Sequence, residues 1–124
     1  MHGANAYKKY QQTQIITSDQ KNLILMLYAG AIKFASEAKI KIQKDDIPGK
    51  GVAISKAMKI VNELMGSLNH EKGGEIAKQL RDLYLHVNFK LTEANVYNRI
   101  KCLEHVILLL TTIKEAWEKI SLKE

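Results

Sequence analysis

A single cysteine, Cys102, rules out any disulfide within the chain. An isolated thiol fits a reducing compartment, where it packs as a small apolar group. Arginine occurs only at Arg81 and Arg99, so the bidentate forks that read guanine edges or clamp phosphates are scarce and no nucleic-acid partner is expected. No run of about 18 apolar residues is present to cross a bilayer. The first residues, MHGANAYKKY, contain no apolar core of a signal peptide, and a cytoplasmic location is the expectation. With one proline and seven glycines in 124 residues, few points force a helix to break.

Chemistry is equally thin. No HExxH occurs, and no glutamate is followed three residues later by histidine, as a di-iron bundle requires. His70, His86 and His105 have no carboxylate company on a shared core face and read as solvated. Gly73-Gly74 has neither a preceding strand nor a following Gly-Lys-Ser or Gly-Lys-Thr, so it is not a phosphate loop. The core-facing positions contain no paired carboxylates for acid–base work. No enzyme, metal or cofactor is expected.

What the chain does have is the material of one soluble domain spanning residues 1–124: 46% apolar and 26% charged residues. The net charge of +6 is uneven. Residues 1–62 hold ten lysines against four acids, whereas residues 63–124 are balanced. Such a bias steers toward an acidic protein, an anionic surface or nucleic acid.

Helical periodicity organises the rest. From Asp19, a candidate N-cap, Ile24, Leu27, Tyr28, Ala31, Phe34, Ala35, Ala38 and Ile42 fall on one side of a helix at about 100° per residue. Asp45 to Gly49 ends it. A second helix places Ile54, Ala57, Val61, Leu64, Met65 and Leu68 at core spacing, with Asn69 as a C-cap. The third carries Ile76, Leu80, Leu83, Tyr84, Val87, Leu91 and Ala94 from a start at Gly73-Gly74. The fourth carries Leu103, Val106, Leu110, Ile113 and Trp117. Helices at about 20–44, 50–69, 74–96 and 99–120, joined by short turns, predict an all-α, antiparallel up-down four-helix bundle. Residues 1–16 form a polar segment, expected to be mobile and to pack over the bundle, that carries Tyr7, Tyr10 and Ile16.

Residues that such a core does not need are the candidate site. On the first helix Leu25, Ala29 and Ile32, with Met26 beside them, make a second apolar line on the rim of the polar side. On the third, Leu85, Phe89 and Val96 follow spacings of four and seven along the face opposite the core. The fourth adds Leu108 among Lys101, Glu104, Thr112 and Glu115. Single apolar residues on a surface are ordinary. Aligned stripes on two helices point to a groove that accepts an amphipathic helix.

TSDQKNLILMLYAGAIKF, HEKGGEIAKQLRDLY, KLTEAN and a C-terminal Ala-Trp, in this order, resemble the flagellin export chaperone family, FliS. The similarity runs from Ala6-Tyr7 to Trp117 and is most specific at Glu71 to Ala77. It implies a helical bundle that holds the C-terminal segment of flagellin in the cytoplasm until export by the flagellar type III apparatus. It also implies an N-terminal segment, with Tyr7 and Tyr10, that lies over the substrate groove and is displaced by flagellin. A permanent cap on the bundle is the alternative, and a second copy of the chain could fill the groove as a homodimer. Asp19-Gln20 stands where the family has Ser or Thr then Pro, Ala29 stands where it has an acid, and Arg99 replaces an Asp near the fourth helix, leaving Asn98 as the expected cap. The competing class is a basic helical module that binds nucleic acid or acts as a structural homodimer.

Overall fold

Short polar turns set the architecture of the computed structural model, which describes residues 18–120. Four helices, α1 (Ser18–Gln43), α2 (Ile47–Gly66), α3 (His70–Tyr97) and α4 (Ile100–Glu118), are separated by two or three residues each. Turns this short reverse the chain. Each helix therefore runs antiparallel to the next, α1 packs on α2 and α4, and α3 packs on the same two. The result is an all-α, up-down four-helix bundle in which α1 and α3 stand at opposite corners.

Several expected caps have other roles. Asp19 lies inside the first turn of α1, where its charge still suits the helix dipole. Asp46 caps α2 instead: its carboxylate accepts from the Gly49 N–H at 2.9 Å, and this bond, helped by Lys41, holds the acid below the usual carboxylate range. Pro48 then sits in the first turn of α2, a position that tolerates proline because its missing N–H would have no helical partner. Thus α2 begins earlier than the proline suggested. Asn69 caps the start of α3, accepting from the Lys72 N–H at 3.0 Å, while Ser67 ends α2. Asn98 ends α3 in a left-handed conformation, φ 54° and ψ 42°, and Arg99, without a side-chain capping bond, precedes α4. Gly74, at φ 51° and ψ −122°, interrupts α3 one turn in, so Asn69 caps a short lead-in turn and the regular helix follows the glycine.

The core holds the expected stripes, with Tyr28, Ala31, Ala35 and Ala38 facing Ala53, Ile54, Ala57, Val61 and Leu64, and closed by Tyr84, Val87, Leu91, Ala94, Leu103, Val106 and Leu110. Small residues bring α1 close to α2; a Cβ on Gly30 would stand 3.1 Å from Ile60 Cδ1. Across the diagonal, the buried hydroxyls of Tyr28 and Tyr84 share a hydrogen bond of 2.6 Å. Burial raises both phenols above their ordinary range. Lys50 is a core residue that periodicity did not announce. It is 5% exposed and its Nζ donates to the Asn95 carbonyl at 2.7 Å and to Asn98 Oδ1, satisfying the C-terminal end of α3 from the start of α2. Ile76, expected in the core, is 58% exposed. It lines a cavity of about 210 Å³ bounded also by Ile24, Leu68, Leu80 and Trp117, at the end of the bundle where, among the described residues, no further helix covers it.

Candidate functional site

The outward face of α3 is set by its core face. With Tyr84, Val87, Leu91 and Ala94 buried, residues half a turn away must meet solvent. Leu85, Phe89 and Val96 do so, with 64% of Phe89 exposed. Thr92 lies between them and gives its hydroxyl to the Asn88 carbonyl at 2.9 Å, so the ridge carries no free hydroxyl there. Two contacts place this ridge on the α2 side of its helix. Asn88 Nδ2 donates to Asn62 Oδ1 at 2.8 Å, and Thr92 Oγ1 is 4.0 Å from Met58 Sδ. Lys90 flanks the Phe89 ring, 6.0 Å from its centroid, and pairs with Glu93.

The other candidates do not join this ridge. Leu108 is 66% exposed on α4, but the seam between it and α3 is occupied by His86 and His105, whose Nε2 atoms are 3.0 Å apart. On α1 the second apolar line is partly used by the bundle itself. Leu25 and Ile32 lie on the same row as Lys21 and Lys39, spaced by four and seven, and both lysines reach α4: Lys21 to the Glu118 carbonyl at 3.1 Å, Lys39 to Glu104 at 3.0 Å. Leu25 and Ile32 are accordingly half-buried at the α1–α4 seam, while Met26 and Ala29 remain exposed. Leu23, not singled out from periodicity, is exposed one turn before them. Because α1 and α3 occupy opposite corners, their exposed residues cannot line one groove. Tyr7, Tyr10 and Ile16 lie outside the described residues.

Among the described residues no group of three or more histidine, cysteine or carboxylate side chains is arranged to hold a metal. Cys102 is buried, and burial, aided by Glu93, raises its thiol above the ordinary range, so the thiolate needed for nucleophilic attack is disfavoured. No helix among the described residues is long and apolar enough to cross a membrane.

The structure defines the class of all-α, up-down four-helix bundles, here with apolar ridges on the outer corners. Sequence comparison narrows this class: the family described as Flagellar protein FliS matches residues 3–124. The flagellar secretion chaperone FliS of Salmonella typhimurium is 38% identical over 99% of this chain and 95% of its own length. FliSB of Pseudomonas aeruginosa is 34% identical over 98% of this chain and 99% of its own, and FliS of Vibrio cholerae 37% identical over 93% and 85%. The chain belongs to the FliS family of flagellar secretion chaperones.

Proposed function

We infer that the protein is a cytoplasmic export chaperone that binds the C-terminal helical segment of flagellin, prevents its premature polymerisation and assists its delivery to the flagellar type III apparatus. The observation that carries this reading is the Leu85–Phe89–Val96 ridge, left exposed along α3 in a member of a secretion-chaperone family. A folded monomer gains nothing from a solvated phenylalanine flanked by further apolar residues, whereas a partner helix buries them together. The separation of this ridge from Leu108 and from Met26 and Ala29 favours a partner that wraps. An α-helix is about 10–12 Å wide with its side chains and covers one corner of a bundle. An unfolded export substrate, ordering on contact, reaches several corners in successive segments. On this reading Tyr7, Tyr10 and Ile16 compete for, or complete, the same surface.

Calorimetric titration of the protein with a flagellin C-terminal peptide from the same organism tests the proposal. The expected result is one peptide per protein, with an affinity that changes little between low and high salt because apolar burial dominates. Phe89→Asp should lower the affinity by on the order of 2 kcal/mol or more while retaining helical content. No binding by the peptide, together with steeply salt-dependent binding to generic duplex DNA, would turn the assignment toward a basic nucleic-acid module. A stable dimer that excludes the peptide would turn it toward a structural homodimer.

A further inference from the structure

The outward face of α1 carries Asp19, Met26 and Lys33 at spacings of seven, a row that neither the core nor the seams with α2 and α4 use. All three side chains are exposed, Met26 by 69%. Leu23, 55% exposed, and Ala29 flank Met26 on opposite sides of the row. A helix drifts by only about 20° over seven residues, so acid, thioether and base lie almost in line along one edge of the bundle. Among the described residues neither Asp19 nor Lys33 has an ion-pair partner. Lys33 instead shares the Phe34 ring with Lys56, their ammonium groups 5.6 and 5.4 Å from its centroid, so its own chain offers it a second cation where an anion is favoured.

This order of chemistry is complementary to itself when reversed. We propose that the outward face of α1 is the interface of a symmetric dimer, in which a second copy of this chain lays its own α1 antiparallel on the first with the twofold axis at Met26. Under that symmetry a residue a given number of places before Met26 stands opposite the residue as many places after it in the other copy. Asp19 then meets Lys33 of the second copy, and the same pair recurs at the other end. Leu23 meets Ala29, a large side chain against a small one, and the two Met26 side chains close the centre. A shallow crossing of about 20°, the usual consequence of a seven-residue row, keeps these rungs in contact.

Other pairings of the same helix are penalised. A parallel arrangement sets Asp19 on Asp19 and Lys33 on Lys33, and an antiparallel one centred seven residues later sets Lys33 on Lys33. One helix pair falls below the ordinary size of a stable interface, so the dimer is weak and its population follows protein concentration. The dimer is independent of the flagellin reading, because α3 stands at the corner opposite α1 and the Phe89 ridge stays open. A substrate long enough to reach Met26 and Ala29 displaces the second copy.

The test is sedimentation velocity on the untagged full-length chain, without flagellin peptide, from micromolar to millimolar concentration. A reversible monomer–dimer equilibrium is expected. Asp19→Lys and Lys33→Asp, both at exposed positions, should each weaken it about fivefold or more. An equal mixture of the two variants should recover the wild-type association, because the mixed dimer again has an acid opposite a base at both ends. Lys33→Asp also lowers the net positive charge, so relief of general repulsion alone would strengthen association instead. Met26→Cys should form a disulfide with its own copy under air oxidation, while Ile40→Cys, two heptads from the axis, should not. Phe89→Asp should leave the equilibrium unchanged. A chain that stays monomeric throughout, a mixture no better associated than its components, cross-linking through Ile40→Cys instead, or a dimer that Phe89→Asp dissolves would overturn the interface.

Discussion

Replacing Tyr28 and Tyr84 with phenylalanine, singly and together, probes the only hydrogen bond among the described residues that crosses the bundle's diagonal deep in the core. Both hydroxyls are buried and the oxygens lie 2.6 Å apart. Tyr28→Phe leaves the Tyr84 hydroxyl without its partner in an apolar surrounding, which costs about 1–3 kcal/mol, whereas Tyr84→Phe leaves Tyr28 its contact with Trp117 and costs less. The double change removes both hydroxyls, so neither phenol is stranded and, although Trp117 loses Tyr28 as a partner, its cost should fall short of the sum. A coupling of at least about 1 kcal/mol follows, within the range for residues in contact. Urea denaturation of the four proteins, with midpoints and slopes fitted together, measures it. The pH dependence supplies a second reading. Burial lifts both phenols above their ordinary range, so the folded state keeps protons that the unfolded state releases. The stability they contribute is complete below the ordinary phenol range, about pH 10, and is lost as pH rises above it. The Phe/Phe protein should lose less stability over that alkaline interval. Additive single changes, with no coupling and an unaltered alkaline limb, would refute the buried pair.

Phe89→Asp should keep a cooperative melt with a stability change of roughly 1 kcal/mol or less, whereas Val87→Asp, two residues earlier and fully buried, should abolish folding, as circular dichroism will show. If both unfold alike, the ridge belongs to the core. Lys50→Met keeps the aliphatic stem but leaves the Asn95 carbonyl without its charged donor, and should cost roughly 1–3 kcal/mol by urea denaturation; an unchanged midpoint would mean that water replaces the ammonium. Deleting residues 1–14 should leave the melt cooperative, raise binding of an apolar dye and alter the apparent affinity for the flagellin peptide. An unfolded deletion protein would place that segment in the folding unit.

Periodicity revealed faces better than ends. Tyr28, Ala35, Val61, Val87 and Val106 are buried as their spacing requires, because a helix of fixed pitch turns the same face to its neighbours at every turn. What periodicity cannot supply is whether a neighbouring helix extends far enough to cover a face. Ile76 has the phase of a core residue and is exposed because it stands at the mouth of the end cavity. Asparagine in a two- or three-residue turn suits either end of a helix, since its amide caps a start and its backbone tolerates the left-handed conformation that ends one. Asn69 took the first role and Asn98 the second, each opposite to expectation. The burial of Lys50 depends on where the far end of α3 arrives, which no local pattern encodes.

The candidate surface divides along the same physical line. Leu85, Phe89 and Val96 were legible because a ridge on one helix follows from pitch alone, and they are exposed. Joining them to the α1 line required knowing which helices are neighbours. In an up-down bundle closed by α4 packing on α1, the first and third helices are diagonal, so two outward ridges on them face away from each other. The α1–α4 seam also claims Leu25 and Ile32 for the bundle, with Lys21 and Lys39 reaching across at either end of their row. A partner that uses both corners must therefore pass around the bundle, over α2 or over the α3–α4 seam. Only the second route crosses His86 and His105 and reaches Leu108, whereas the first follows Asn62 and Met58 beside the Phe89 ridge. The ridge leans toward α2, which makes the α2 route the shorter continuation of any helix already seated on Phe89.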